Sequence, residues 1–304
     1  MMSQLSDPLF SALLSLGAAL STLLTVNGDE PRFYCGELRY EAKKHIRMQE
    51  GTFECWFKLG MPPADFHIGD GSSRRMLVFL SLTFAPTKNT KDRELPDFLT
   101  LKYANLREKN GLKVVVNDTL VKKMTLDQEE LNWEADTWYH LAFTWKQQHG
   151  QWTLQWFING KLRKTCQTDE PGTFTALPAK TIIRIGRVQS STKETKFDSG
   201  GIGAIDEFRI SSRVRSPEEI RQAMTKGMTT DEATLLHETF AKVRISRKKW
   251  SRSAFKSLMR RKNDLPSNGS TRPEKGDKGE FYGPVRWVDG RKSGDRAVAF
   301  FVKP

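Results

Sequence analysis

Ten cations fall within 21 residues: Lys242, Arg244, Arg247, Lys248, Lys249, Arg252, Lys256, Arg260, Arg261 and Lys262, with no Asp or Glu among them. The formal net charge is +13, so the rest of the chain carries only +3. Such a segment suits contact with a polyanion: an acidic polysaccharide, anionic lipid headgroups or nucleic acid. A solvated, partly helical linker is the plainer reading of the same charges. Ile245, Trp250, Phe255 and Leu258 are interleaved with the cations, which suits a helix lying at an interface. Arg247, Lys248, Lys249, Arg260, Arg261 and Lys262 are the expected ligand-binding cations.

Acid–base chemistry has less to stand on. Hydrolysis of a glycosidic bond needs two carboxylates ~5–9.5 Å apart. Glu50 and Glu54 would share one face of an extended strand, although Glu50 reads better as part of the preceding turn. Asp206 and Glu207 are adjacent, so a strand points them to opposite faces. The five His residues (His45, His67, His140, His149, His237) lack metal-ligand spacing, and there is no Cys-x-x-Cys. Asp65, Asp70 and Asp198 lie in Gly-rich loops, where Ca²⁺ could gather oxygen ligands; polar turns explain them equally well. The expectation is no cofactor, with Ca²⁺ as the alternative. Trp56 falls on the more polar side of its segment and is the aromatic candidate for stacking on a sugar ring. Asn117-Asp118-Thr119 and Asn268-Gly269-Ser270 match glycosylation acceptors, which matter only in an exported chain.

The elements that must position these residues are strands. From about residue 51 to 210 apolar residues recur with period two. Phe53, Cys55, Phe57 and Leu59 form one face, as do Val78, Leu80, Leu82 and Phe84, then Leu112, Val114 and Val116. Tyr139, Leu141, Phe143 and Trp145 follow, then Trp152, Leu154, Trp156 and Ile158, then Ile183 and Ile185, then Ile202, Ala204, Phe208 and Ile210. Asn159-Gly160 joins two alternating runs and predicts a type I′ hairpin turn. Ser216-Pro217-Glu218-Glu219 predicts one capped helix ending near Gly227. The pattern is that of an all-β sandwich or barrel with one short helix after the closing strand.

These segments carry a resemblance. Glu50-Gly51-Thr52-Phe53-Glu54-Cys55-Trp56, Trp138 to Trp145, Trp152 to Gly160, Ile183-Arg184-Ile185-Gly186, and Gly203 to Ile210 with the capping box behind it stand in the order seen in the laminin G-like, concanavalin A-like lectin/glucanase jelly rolls. The resemblance spans roughly residues 30–226 and implies an antiparallel jelly-roll β-sandwich. Thr234 to Phe240 and Gly283 to Gly290 resemble the opening strands of a second such module, so the tail strands either join the first sheet or begin a second domain. The expected division is an apolar segment 1–29, a sandwich 30–228, and a basic extension 229–304 in which 263–280 reads as a flexible linker.

Residues 1–29 read as a signal peptide or as an amphipathic helix with Leu9, Leu13, Leu16, Leu20 and Leu23 on one face. No span long enough to cross a membrane is expected. The implied function is a non-catalytic recognition or adhesion module at the cell surface, binding glycan or extracellular protein through loops at one end of the sheets. A hydrolase on the same fold is the alternative, and a structural subunit of a larger assembly the third; nucleic acid stays among the polyanions, and a cytoplasmic location stays open. In an exported chain Cys35 and Cys55 are the expected disulfide, with Cys166 a thiol.

Overall fold

The computed structural model describes residues 34–35, 37–68, 73–84, 98–106, 109–170, 172, 177–190, 203–240, 243–245, 264–265, 269–271, 273–278, 280–282, 285–292, 296–300 and 302–303. All lie in one compact unit from Phe33 to Pro304. The apolar segment 1–29 falls outside them, as do all six expected ligand-binding cations.

Thirteen strands carry the argument: β1 (Glu37–Glu41), β2 (Glu50–Leu59), β3 (Ser73–Phe84), β4 (Leu99–Leu106), β5 (Lys109–Val116), β6 (Trp138–Gln148), β7 (Gln151–Ile158), β8 (Lys161–Thr168), β9 (Thr181–Ile185), β10 (Gly203–Ser211), β11 (Thr234–Glu238), β12 (Val285–Asp289) and β13 (Arg296–Phe300). One sheet runs β8-β7-β6-β2-β10-β13-β12 and ends on Asp264–Leu265, with β11 also paired to β10. The other runs Val243–Ile245, Gly269–Thr271, Glu280–Tyr282, then β1-β9-β3-β4-β5 and Thr119–Leu120. The ladders between these strands are antiparallel; the two sheets form a sandwich, one of the two forms that the period-two pattern allows, and the jelly roll that the resemblance implies.

The core lies between the sheets. Phe53, Cys55, Phe57, Leu141, Phe143, Trp145, Trp156, Ile183 and Phe208 are fully buried there. Three core indole N–H groups reach backbone carbonyls, Trp145 to Arg47, Trp152 to Gly172 and Trp156 to Met124, at 2.8–2.9 Å; that of buried Trp133 does not. Asn159 and Gly160 both have positive φ, as the type I′ turn requires, and His149-Gly150 makes a second such turn that the composition did not announce.

Two bulges reset the alternation. One between Val78 and Leu80 puts Leu77, Phe79, Leu80 and Leu82 in the core and turns Val78 outward. The other, at Asp206, places Ile205, Phe208 and Ile210 inside and Ala204 outside. An extra residue shifts every later side chain to the opposite face, so the expected faces of both strands were wrong in part.

The tail strands join this sandwich: β13 pairs with β10, and Glu280–Tyr282 pairs with β1. The expected linker contributes Asp264–Leu265 and Gly269–Thr271 to the sheets. Cys55 is a free thiol and fully buried, so the expected disulfide to Cys35 is not formed; its β2 position points into the core, flanked by Leu141 and Phe208. Cys166 is also a free thiol.

Gly51 sits directly opposite Trp145 in the β2–β6 ladder, and a Cβ there would lie 2.3 Å from the indole ring. The ring is fixed by its bond to Arg47, so it cannot easily yield. Gly51→Ala should therefore destabilise the fold by about 1–3 kcal/mol, measured by urea unfolding; an unchanged midpoint would contradict this packing.

Candidate functional site

The outward residues of β2 are Thr52, Glu54, Trp56 and Lys58. They lie beside Trp138, His140 and Ala142 of β6 and Glu207, Arg209 and Ser211 of β10. The Pro217–Lys226 helix packs on this face. Ile220 meets Ala142 and Phe157, while Ala223, Met224 and Met228 cover Trp56 and Trp138. The helix starts as its sequence dictates: Ser216 accepts from the Glu219 amide, and the Glu219 carboxylate accepts from the Ser216 amide.

Polar side chains trapped beneath this cover must satisfy one another. Glu54 Oε2 accepts from Arg209 Nε at 3.0 Å and Nη2 at 2.5 Å, and Arg209 Nη1 donates to the Thr229 carbonyl at 2.7 Å. Arg215 donates to Ser211, to both Asp231 oxygens and to Thr234. Arg213 and Glu219 pair at the helix start. His237 Nε2 is 2.8 Å from Glu207 Oε1, and Arg291 Nη2 is 3.9 Å from the other Glu207 oxygen. Four carboxylates and four guanidinium groups thus share the patch, and its charges cancel.

His140 is completely buried, with Nε2 3.9 Å from Glu54 Oε1. Burial holds its pKa down to about 3, and Arg209 and Arg291 push the same way, so the ring is neutral. Burial raises the Glu54 pKa while Arg209 and Arg215 pull against it. Hydrogen bonds from Arg213 hold Glu219 near 2, and those from Arg215 hold Asp231 well below the usual carboxylate range.

Trp56 faces outward as its sequence position indicated, but only 9% of it is exposed. The Arg291 guanidinium lies 4.2 Å from its ring centroid and His140 packs 5.2 Å away. Stacking a sugar on Trp56 requires Arg291 to leave. Glu50 opens β2, and Glu54 is sealed. Asp65 lies in the Pro63–Phe66 turn; Asp70 and Asp198 fall outside the described residues, among which no group of three or more His, Cys, Asp or Glu could hold a metal ion. No helix among the described residues is long and apolar enough to cross a membrane. Sequence reasoning did not single out Arg209, Arg215 or Arg291. An Arg between Phe208 and Ile210 in a core strand was the available signal, because such a residue needs a buried partner.

Acid should loosen this patch. Unfolded histidine takes up a proton below about pH 6.5, whereas folded His140 stays neutral down to about pH 3. Its contribution is therefore fully present above pH 6.5 and is lost as pH falls toward 3. Glu219 acts with the same sign in a lower window, from about 4.5 down to about 2. His140→Gln should show a shallower fall in melting temperature between pH 7 and 4 than the parent; equal slopes would place the acid sensitivity elsewhere.

A family model described as the concanavalin A-like lectin/glucanases superfamily matches residues 40–221. No curated protein matches the chain. Among solved structures, a heptameric SAP-like pentraxin from Limulus polyphemus is 14% identical, covering 66% of this chain and 79% of its own, with a TM-score of 0.39. A protein provisionally assigned as carbohydrate binding from Bacteroides ovatus is 14% identical over 83% of this chain and 58% of its own, at 0.44. An alginate lyase from Pseudomonas aeruginosa is 12% identical over 58% and 73%, at 0.33. With more than half of its length matched and the sandwich in place, the chain belongs to the concanavalin A-like lectin/glucanases superfamily.

Proposed function

We propose that the protein is a non-catalytic glycan-recognition module working at the cell surface, with loops at one end of the sandwich as the reading surface. The observation that carries this reading is the state of Glu54. It is the carboxylate that sequence placed nearest to acid–base work, yet it is fully buried beneath a helix and bound by Arg209. A general acid must reach the glycosidic oxygen of its substrate, and a polysaccharide has no path to this one. Membership of a superfamily of lectins and glucanases makes glycan the ligand class to test first.

Incubation with a panel of polysaccharides should release no new reducing ends, while a glycan array should return bound probes. Robust turnover that disappears in a folded Glu54→Gln variant would overturn the reading in favour of a hydrolase.

The basic segment Lys242–Lys262 is proposed as an electrostatic arm for polyanions, acting through the residues beyond the Val243–Ile245 strand that joins the second sheet. Replacing Arg247, Lys248, Lys249, Arg260, Arg261 and Lys262 with Gln should lower the salt concentration at which the protein leaves heparin. A solvated arm leaves thermal stability within about 0.5 kcal/mol. A variant that unfolds would mean that the segment is packed rather than solvated.

A further inference from the structure

A second cationic feature lies on the folded sandwich itself. β8 is the edge strand of its sheet. It carries Lys161, Arg163 and Lys164, with Lys161 and Arg163 exposed and Lys164 half-buried. The turn Lys122–Met124 adds exposed Lys122 and Lys123. The two pieces are tied together. Arg163 Nη2 donates to the Glu130 carbonyl and Lys164 Nζ to the Thr125 carbonyl, each at 2.6 Å. Lys123 and Lys164 both act on the Cys166 thiol, pulling its pKa down against the effect of burial. Asp127, Glu129, Glu130 and Glu170 are the nearby acids; Glu170 acts on the Cys166 thiol against Lys123 and Lys164, and the Glu130 carboxylate accepts from the Asp127 amide. Among the described residues none of the five cations has an acidic partner: the two that are hydrogen-bonded give their protons to backbone carbonyls, which do not cancel charge.

We propose that Lys122, Lys123, Lys161, Arg163 and Lys164 form a binding strip for an anionic polysaccharide along the edge of β8. The proposal rests on the glycan-recognition reading and names the ligand class and the surface. The strip is linear: Lys161 to Lys164 spans three strand steps, about 10 Å. That suits a chain bearing regularly spaced carboxylates or sulfates. Leu162, 48% exposed, lies between Lys161 and Arg163 in sequence; its pairing with Phe157 puts it on the helix side of the β8 edge, opposite to Lys164, within reach of a chain that wraps the edge. It offers the C–H face of a sugar ring an apolar contact that a phosphate backbone would not use.

Other occupants fit less well. A second copy pairing edge to edge would set cation against cation, the device by which sheets avoid self-association. An acidic peptide added as a strand would meet the 122–131 segment, which the Arg163 and Lys164 bonds hold against this edge.

The test uses the full chain with the six arm residues already changed to Gln, so that the arm does not mask the strip. In that background Lys122→Glu, Lys123→Glu and Lys161→Glu are introduced together, sparing the two side chains that tie the segment down. Heparin and alginate are the probes, with duplex DNA and polyglutamate as competitors and a melting curve as the folding control. The arm-neutralised parent should still bind heparin, and the triple variant should bind at least about tenfold more weakly at 0.15 M salt, with a shallower salt dependence. A parent that does not bind heparin, or a folded triple variant that binds equally well, overturns the strip. If the triple variant misfolds, Lys122→Gln with Lys123→Gln replaces it and is read by the same criterion. Competition by DNA or polyglutamate as strong as that by heparin overturns the polysaccharide assignment. Loss of acidic-glycan binding with array binding to neutral glycans retained supports the strip; absence of every glycan signal from the unmodified chain defeats the wider reading instead.

Discussion

A carboxylate carried on the outer face of a sheet becomes a liability once a helix is laid over it. Glu54 is in that position, and Arg209 on the neighbouring strand neutralises it. Removing one member of such a pair leaves a buried charge with no partner, which costs far more than the pair contributes. Other features of this face follow from the same constraint. The Thr229 carbonyl that takes the third Arg209 contact fixes the chain just after the helix, and Arg215, anchored by Ser211 and Asp231, fixes it just before. The helix therefore sits on the sheet at two electrostatic anchor points, with Ile220 and Ala223 filling the space between them.

This arrangement divides the labour between the faces of the sandwich. The face under the helix is closed and charge-balanced, and its arginine–carboxylate pairs hold cover to sheet. On the glycan-recognition reading proposed above, ligand contact falls to loops and sheet edges rather than to this face. A module built this way can change its ligand by altering exposed residues without disturbing the buried pairs, which fits a fold that supports many activities.

Local signals in the sequence were reliable where short-range physics decides. Period-two alternation located the strands, positive φ at Asn159-Gly160 followed from the residue types, and Ser216 to Glu219 made its capping box. What was not legible depended on pairing between distant segments. The bulges near Phe79 and at Asp206 leave no mark in a hydrophobicity pattern, yet they exchange the faces of Val78 and Ala204. The Cys35–Cys55 disulfide was expected from closeness in sequence, although the alternation already put Cys55 on the apolar face with Phe53 and Phe57, where it is buried. The site suffered similarly. Trp56 was correctly placed on the outward face, but its cover comes from Arg291, more than two hundred residues away, and no local pattern announces that contact.

The late strands have a consequence for biosynthesis. β10 lies between β2 and β13, and β1 lies between β9 and Glu280–Tyr282, while Tyr34–Cys35 pairs with Val302–Lys303. Each sheet thus holds a strand from beyond residue 280 against one formed much earlier in the chain. A nascent chain emerging from the ribosome can build the central hairpins early. It must carry an open edge on β1 until residues 280–282 have emerged, and one on the first residues of β10 until residues 298–300 have. Such long-range closure is slow relative to local pairing, and exposed strand edges invite association with other chains. Removing the strands after residue 280 would leave the β1 and β10 edges unpaired, even though the core lies largely between the earlier strands.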